Sequence, residues 1–539
     1  MKRILFLLCI NLFLLGCRDD RIELPKVTAN PSQLSLTSDH TTDHFILSAD
    51  PPVILEWSLS YKPDWLDVSP ASGPVDGMNA ITVTAKTSTL LPQLLNDKIV
   101  ITTTTGKVEI PVSLNITRSI AVQLSPAPLL VDYNENSKSV IIKNNSSQTV
   151  NWQLEPSATY FSITPASGTL AANQTSTLTL AVNRSTLDTK IYAETLALKI
   201  GGVNNSTFPV SINNFKEEKW ILDGAVTDAE YDRTGDNLIV IIGSKLYKLK
   251  PETKTAVTVD LPLPGTCVSV GQNGQYAAVG HDAWVSLVNL STMTLVQTYP
   301  VTANALDVVL APNNWAYIFP KVDQWQNIRC INLATGTEML NTGRQIYAGT
   351  KAKLHPSGNY IYGANNGLSP SDAEKYDISG GQANFLYDSP YHGQYEFSGN
   401  LWMADNGTKM FTRGRTVFNL STNQASDMTY AGTLAGSSAG VETLDHISSR
   451  NLVYAVYYDY SSQTPQNEIK IFSGDFLNSL GTKPIPGFLI TQAGGFQLVP
   501  SEGKYGFFNS AGTKFFICVK SKTITGVPVQ WAVATINVN

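Results

Sequence analysis

The chain has 539 residues, too many for one hydrophobic core at ~100 to 200 residues per domain, so three or more units are expected. Its formal net charge is −5, only 15% of its residues are charged, and no Lys/Arg-rich stripe occurs, which argues against a nucleic-acid partner. Strand-forming Val, Ile, Thr and Tyr recur throughout, so an all-β chain is expected.

Met1-Lys2-Arg3 is followed by an apolar run from Ile4 to Leu15, too short to span a bilayer core of ~30 Å comfortably. This pattern predicts a secretion signal over residues 1–16. Leu14-Leu15-Gly16-Cys17 resembles the bacterial lipobox, which implies that Cys17 is lipidated and becomes the first mature residue. Several acyl chains at ~0.8 kcal/mol per buried CH2 would hold the protein on a membrane. Arg18-Asp19-Asp20 resembles the acidic surface-export signal of some Gram-negative lipoproteins. The resemblance implies an outer-membrane anchor facing the cell exterior, with residues 17–26 as a tether.

Residues 27–117 alternate apolar and polar, with turns every 8 to 12 residues, the pattern of a β-sandwich. Residues 118–214 repeat it. Trp57-Ser58-Leu59 is matched by Trp152-Gln153-Leu154, and the stretch from Trp65 to Gly73 is matched by Tyr160 to Gly168, both at an offset of 95 residues. Two motifs sharing one offset mark two copies of one domain. The turn Pro-Ala-Ser-Gly in each reverses the chain, its glycine being free to take positive φ. A Trp-x-Leu strand followed by an aromatic strand ending in Ser-Pro-Ala-Ser-Gly resembles the BACON domain, an immunoglobulin-like module of bacterial surface lipoproteins and glycan-degrading enzymes. The resemblance implies a spacer or a carbohydrate-binding role. The four aromatics Trp57, Trp65, Trp152 and Tyr160 are expected to plug the sandwich cores.

From 215 to 539 a strand, a polar turn and a Tyr/Ile/Val-rich strand recur about every 40 to 50 residues. The turns begin at Asp232, Gly271, Pro312, His355, Asp405, Ser448 and Pro500. Four-stranded units of that period predict a seven-bladed β-propeller. Gly358-Asn359-Tyr360-Ile361-Tyr362 resembles the YVTN class of propeller repeat. Trp220 to Asp223 is expected to supply the outermost strand of the last blade and close the ring, removing free sheet edges.

The repeated turns fall on one face of such a ring, and the longer loops on the other. The loop residues Trp325, Tyr391, His392, Tyr395, Arg413, Arg415, Tyr458 and Tyr460 combine flat aromatic faces with charged and amide groups suited to sugar rings and hydroxyls. They are the expected ligand-binding set. Cys267, Cys330 and Cys518 lie in apolar runs and are expected to be buried free thiols.

Catalysis, metal and cofactor binding are not expected. Only His40 and His44 have four-residue spacing, in a strand-and-turn context that holds them ~13 Å apart. Gly436-Ser437-Ser438-Ala439-Gly440 fits a nucleophile-elbow pattern but lacks the strand-to-helix context. Asp307, Glu396 and Glu442 are the carboxylates that could face a central channel as a glycosidase-like pair. The resulting expectation is a lipid-anchored accessory protein of a polysaccharide-uptake complex that captures an extracellular ligand, a glycan. A propeller glycoside hydrolase or lyase and a protein-adhesion scaffold are the alternatives.

Overall fold

A computed structural model describes residues 24–538, except 89, 91–92, 117–121, 322–323, 348, 366–370, 437–438 and 493. The signal at 1–16, Cys17 and Ser438 of the elbow-like run lie outside the described residues. The chain divides into two compact units, Met1–Phe215 with Thr491–Phe496, and Lys216–Ile490 with Gln497–Asn539.

The first unit holds two β-sandwiches of one topology. In the first copy, Lys26–Asn30, Thr42–Asp50, Ala80–Ala85 and Leu66–Ser69 form a four-stranded sheet. Facing it, Leu34–Thr37, Gly106–Ile116, Gln93–Thr103, Leu55–Tyr61 and Ser72–Val75 form a five-stranded sheet, with Leu34–Thr37 running parallel to its neighbour. In the second copy Val122–Ser125, Ser137–Asn144, Thr175–Val182 and Phe161–Thr164 repeat the first sheet. Leu129–Val131, Val203–Asn213, Ile191–Ile200, Val150–Pro156 and Ser167–Leu170 repeat the second. Alternation along each strand turns one face inward: Phe45, Trp57, Ile81, Ile101 and Leu114 fill one core, and Val140, Trp152, Leu180, Leu198 and Ile212 the other.

Trp57 and Trp152 are each only 4% exposed, and Trp65 and Tyr160 pack against the same cores. The repeated glycine has a different cause from the one its turn suggests. Neither Gly73 nor Gly168 has positive φ. Instead each lies opposite the core tryptophan of the neighbouring strand. A Cβ on Gly168 would sit 2.9 Å from Trp152 Cζ2, so the indole excludes any side chain there.

Among its described residues the second unit is built of seven antiparallel four-stranded sheets, six of them simple meanders from an inner strand outward. The inner strands are Val226–Asp232, Cys267–Val270, the last part of Thr294–Leu310, Lys351–Leu354, Leu401–Met403, Ala439–Ile447 and Ser501–Phe508, which define blades 1 to 7. All seven contribute residues to the wall of one cavity, so the sheets surround a common axis. This is a seven-bladed β-propeller. Thr294–Leu310 is a single strand serving two blades: Thr294 to Asn304 is the outer strand of blade 2, and Ala305 to Leu310 the inner strand of blade 3.

The ring closes between its two ends. Trp220–Leu222 pairs antiparallel with Trp531–Asn537, Trp220 opposite Val533, and becomes the outermost strand of blade 7. Phe516, Cys518 and Val533 of that blade then pack against Leu238 and Val240 of blade 1.

Six of the seven turns joining inner to second strands fall where their composition places them. The seventh does not. Pro500-Ser501-Glu502-Gly503-Lys504 has turn residues, yet Ser501–Phe508 is the inner strand of blade 7, and the turn is Asn509-Ser510-Ala511-Gly512-Thr513. Asn509 Oδ1 accepts the N–H groups of Thr513 and Lys514 at 2.8 and 2.9 Å, which fixes that turn. Gly503 sits at a register shift in the strand, where a Cβ would press on Ile517 at 2.7 Å.

Candidate functional site

Residues along each inner strand, with Arg233, Gln272, Pro356 and Asp405 from the turns that follow, line the axial channel. The cavity has a volume of about 330 Å3. Its charged wall consists of Asp228, Glu230 and Arg233 from blade 1, Asp307 from blade 3, Lys351 and Lys353 from blade 4, Asp405 from blade 5, Glu442 and Asp445 from blade 6, and Lys504 from blade 7.

Many of these charges brace the ring. Asp228 Oδ2 and Glu230 Oε2 accept the N–H groups of Val268 and Val270 on blade 2, at 2.9 and 2.6 Å. Asp307 accepts Val308 N–H and, at 3.0 Å, Ala352 N–H on blade 4. Asp445 accepts Phe508 N–H on blade 7 and holds both oxygens against Arg233 at 2.7 and 2.8 Å. Glu442 pairs with Lys504 at 2.7 Å. A carboxylate thus does between blades what a hydrogen-bonded ladder does within one: it satisfies an inner-strand N–H that no neighbouring strand reaches. Burial pushes the Asp228 and Glu230 carboxyls above the usual carboxylate range. For Lys353, burial works against the charge, but Glu230, Asp307 and Asp228 outweigh it and hold the ammonium above its ordinary value.

Of the three carboxylates considered for a glycosidase-like pair, Asp307 and Glu442 line the channel and Glu396 does not. Glu396 is exposed and accepts the Ser398 hydroxyl at 2.6 Å.

The loop residues divide into three groups, with no ring contact or hydrogen bond between their named side chains. The first contains Arg413, Tyr458 and Tyr460. Arg413 stands in the hairpin between Lys409–Thr412 and Thr416–Asn419, donating its N–H to Asn400 O, a residue of the channel wall, and accepting Val441 N–H at 2.7 Å. Its guanidinium lies over the Tyr458 ring at 5.3 Å and makes no hydrogen bond or ion pair with a described residue. Tyr458 meets Tyr460 edge to face at 5.8 Å. Gly440 leaves room for this group, since a Cβ there would lie 2.5 Å from the Tyr460 hydroxyl. Arg415, two residues on, is spent on structure: it donates to the carbonyls of Ala439, Leu434 and Gly436.

The second group fills the groove between blades 4 and 5. Tyr391 meets Tyr395 edge to face at 4.7 Å, and Tyr395 stacks on Tyr430 at 4.5 Å with planes 6° apart. Tyr391 Oη accepts Tyr430 N–H, and both Tyr391 and Tyr395 pack on the apolar cluster of Phe397, Met410 and Phe418. Tyr430, 41% exposed, is the open end of this stack. His392 is exposed, its Nδ1 3.1 Å from Asp372 Oδ2.

Asp372, Asp388 and His392 have donor atoms within 4.8 Å of one another and could share a cation. Arg344 already neutralises Asp388, however, and Asp372 also accepts Ala373 N–H and the Ser389 hydroxyl. Trp325 forms the third group: 44% exposed, it pairs with Tyr347 in the short ribbon Trp325–Gln326 and Ile346–Tyr347, edge to face at 5.4 Å.

The channel lysines and Asp228 and Glu230 were not among the residues singled out from sequence. Their signal is present, as Asp228-Ala229-Glu230 and Lys351-Ala352-Lys353: two charges flanking one buried alanine, inside strands that should be the most enclosed of each blade.

Three other histidines have structural partners. His281 contacts Pro264 O and Ser286 Oγ, His355 contacts Gly407 O, and His446 contacts Asp405. Cys267, Cys330 and Cys518 are buried free thiols, the latter two pushed up to about 12 by burial.

Residues 26–115 and 121–211 match the family model described as the viral BACON domain. Two solved structures are similar to part of the chain. The β-propeller domain of Cps50 (Swd1) from Myceliophteria thermophila aligns at 13% identity and TM-score 0.44, over 58% of this chain and 97% of that one. Hydrazine synthase from Kuenenia stuttgartiensis aligns at 12% identity and TM-score 0.42, over 58% and 95%. No curated protein matches the chain.

Proposed function

We propose, for a chain that carries two BACON domains ahead of a seven-bladed propeller, that the propeller captures an extracellular glycan and the BACON domains act as its spacer. The observation that carries this reading is the Arg413, Tyr458 and Tyr460 group: a guanidinium without a polar partner among the described residues, held on a tyrosine face, with the Arg413 N–H bonded to Asn400 of the channel wall. An aromatic face takes the axial hydrogens of a sugar ring, and a guanidinium donates two parallel hydrogen bonds to neighbouring hydroxyls or a carboxylate. Tyr430 and Trp325 offer further exposed rings. Binding is favoured over hydrolysis because Asp307 and Glu442 are already engaged, one by backbone N–H groups and the other by Lys504.

In this reading the N-terminal signal exports the protein, acylation of Cys17 fixes it to the outer membrane, and it serves an uptake complex from the cell exterior. A glycan array with the full-length protein tests the binding role. Capture of a defined glycan, weakened at least tenfold by Arg413→Ala or Tyr458→Ala, supports it. An array without binders, together with co-purification of one protein partner, overturns it in favour of an adhesion scaffold. Labelling of Cys17 by a palmitate analogue, abolished by Cys17→Ala, tests the anchor.

A further inference from the structure

We infer that the axial channel of the propeller binds the carboxylate-bearing unit of an acidic sugar, with Lys351 and Lys353 holding the carboxylate and the free oxygens of Asp228 and Glu230 taking hydroxyls. The inference rests on the glycan-capture reading above and names the class of sugar.

The argument starts from which polar atoms in the channel are already used. Arg233 is spent on Asp445 and Lys504 on Glu442. Both oxygens of Asp307 accept backbone N–H groups. Lys351 and Lys353 are different. They alternate along the inner strand of blade 4, so both project into the cavity, half-buried. Neither ammonium makes a hydrogen bond or an ion pair within 4.0 Å of a described residue. Each therefore brings three unused donors to one wall of the cavity.

Across the ring, Asp228 and Glu230 each commit one carboxyl oxygen to blade 2 and keep the other. The uncommitted atoms are thus a donor wall carrying two positive charges and an acceptor wall of two carboxyl oxygens. A bare inorganic anion would use only the first, and a neutral sugar would bring no carboxylate to accept hydrogen bonds from the two ammonium groups, whose charge Glu230, Asp307 and Asp228 offset only through space. A sugar acid meets both.

The cavity agrees in size. At about 330 Å3 it lies at the small end of ligand pockets, which run roughly from 300 to 1,000 Å3, enough for one sugar residue. Trp402, Leu354, Tyr505 and Phe507 supply its apolar lining. Asn400 of the same wall accepts the Arg413 N–H, which ties the cavity to the Arg413 and Tyr458 group.

Isothermal titration of the full-length protein with glucuronate, glucose and sodium phosphate tests this. Glucuronate should bind, with glucose and phosphate at least tenfold weaker, and Lys351→Met with Lys353→Met should weaken glucuronate at least tenfold. Lys351→Arg with Lys353→Arg, which keeps the charges, should retain glucuronate binding and the thermal transition. Glucose or phosphate binding as tightly as glucuronate overturns the inference, as does a Met double variant that folds and binds glucuronate unchanged. Neutral oligosaccharides captured through Arg413, with no glucuronate in the channel, would overturn this inference and leave the capture reading standing. No binding of any sugar would overturn both.

Discussion

Lys375 and Asp427 form an ion pair of 2.6 Å from which water is almost wholly excluded, the two side chains being 2% and 0% exposed. Lys375 lies on the third strand of blade 4, and Asp427 just before the outer strand of blade 5, so the pair fastens two blades. Its remaining valences are filled: Lys375 Nζ donates to Ser421 O and Tyr387 Oη, and Asp427 accepts the Tyr362 and Tyr387 hydroxyls and Ser421 N–H. The Tyr360 ring lies 4.4 Å from the ammonium. Removing one partner leaves a buried charge with nothing to balance it, which costs about 3 to 5 kcal/mol. Lys375→Met alone is expected to lose that much in denaturant unfolding of the propeller. Lys375→Met combined with Asp427→Leu is expected to recover much of it.

Two glycines separate packing from backbone effects. Gly168→Ala places its methyl 2.9 Å from the Trp152 ring and should cost about 1 to 3 kcal/mol by overpacking. Gly73→Ala, whose nearest atom is Trp57 Nε1 at 3.5 Å, should cost less than about 1 kcal/mol. Chemical denaturation followed by tryptophan fluorescence compares the two copies directly.

Glu374, buried beside Tyr376, has its carboxyl raised from 4.5 to about 7, chiefly by burial. Its folded form therefore keeps a proton that the unfolded chain releases at lower pH. Stability is full below the unfolded value and falls as pH rises from about 4.5 to about 7, by up to about 3 kcal/mol. Glu374→Gln should remove this dependence, leaving the variant close to wild type at pH 4 and more stable at pH 8. Urea melts at the two pH values measure it.

Arg413 and Arg415 should separate cleanly. Arg415→Ala strips donors from three backbone carbonyls and should cost about 2 to 4 kcal/mol of stability. Arg413→Ala should leave the thermal transition within about 0.5 kcal/mol while reducing glycan capture.

Ring closure gives a test by association. Leu222, buried in the closing strand, should not tolerate Asp. Leu222→Asp is expected to loosen Trp220–Leu222, expose the edge of Trp531–Asn537 and produce concentration-dependent aggregation in light scattering.

The doubled sandwich was legible because one constraint is written twice: Trp152 repeats Trp57 at the same offset, and alternation around both shows which face is buried. The blades were legible from their turns, whose Asn, Asp and Gly are demanded by local backbone geometry. Pro500 to Lys504 shows the limit of that signal. A glycine demanded by a tertiary contact, as Gly503 is by Ile517, has the same local composition as one demanded by a turn. The closing strand could be seen because seven units needed one more outer strand than the C-terminus supplied.

The site was read less completely. Loop aromatics attract attention in a sequence, yet whether a tyrosine offers its face to solvent or to Phe418 depends on residues far along the chain. The channel charges were hidden for the opposite reason. Asp228 and Lys351 come from strands 123 residues apart, and only the closed ring puts them in one cavity.

The strand Thr294–Leu310 has a consequence for motion. Elsewhere a loop separates one blade's outer strand from the next blade's inner strand, and can absorb a change of angle. Between blades 2 and 3 the strand continues from one sheet into the next, hydrogen-bonded first to Asp282–Asn289 and then to Trp315–Pro320, with register irregularities between Pro300 and Asn304 and between Ala305 and Asp307. Because one strand is shared by both sheets, these two blades should open and close as one cooperative block, with amide protons on both exchanging at a common rate.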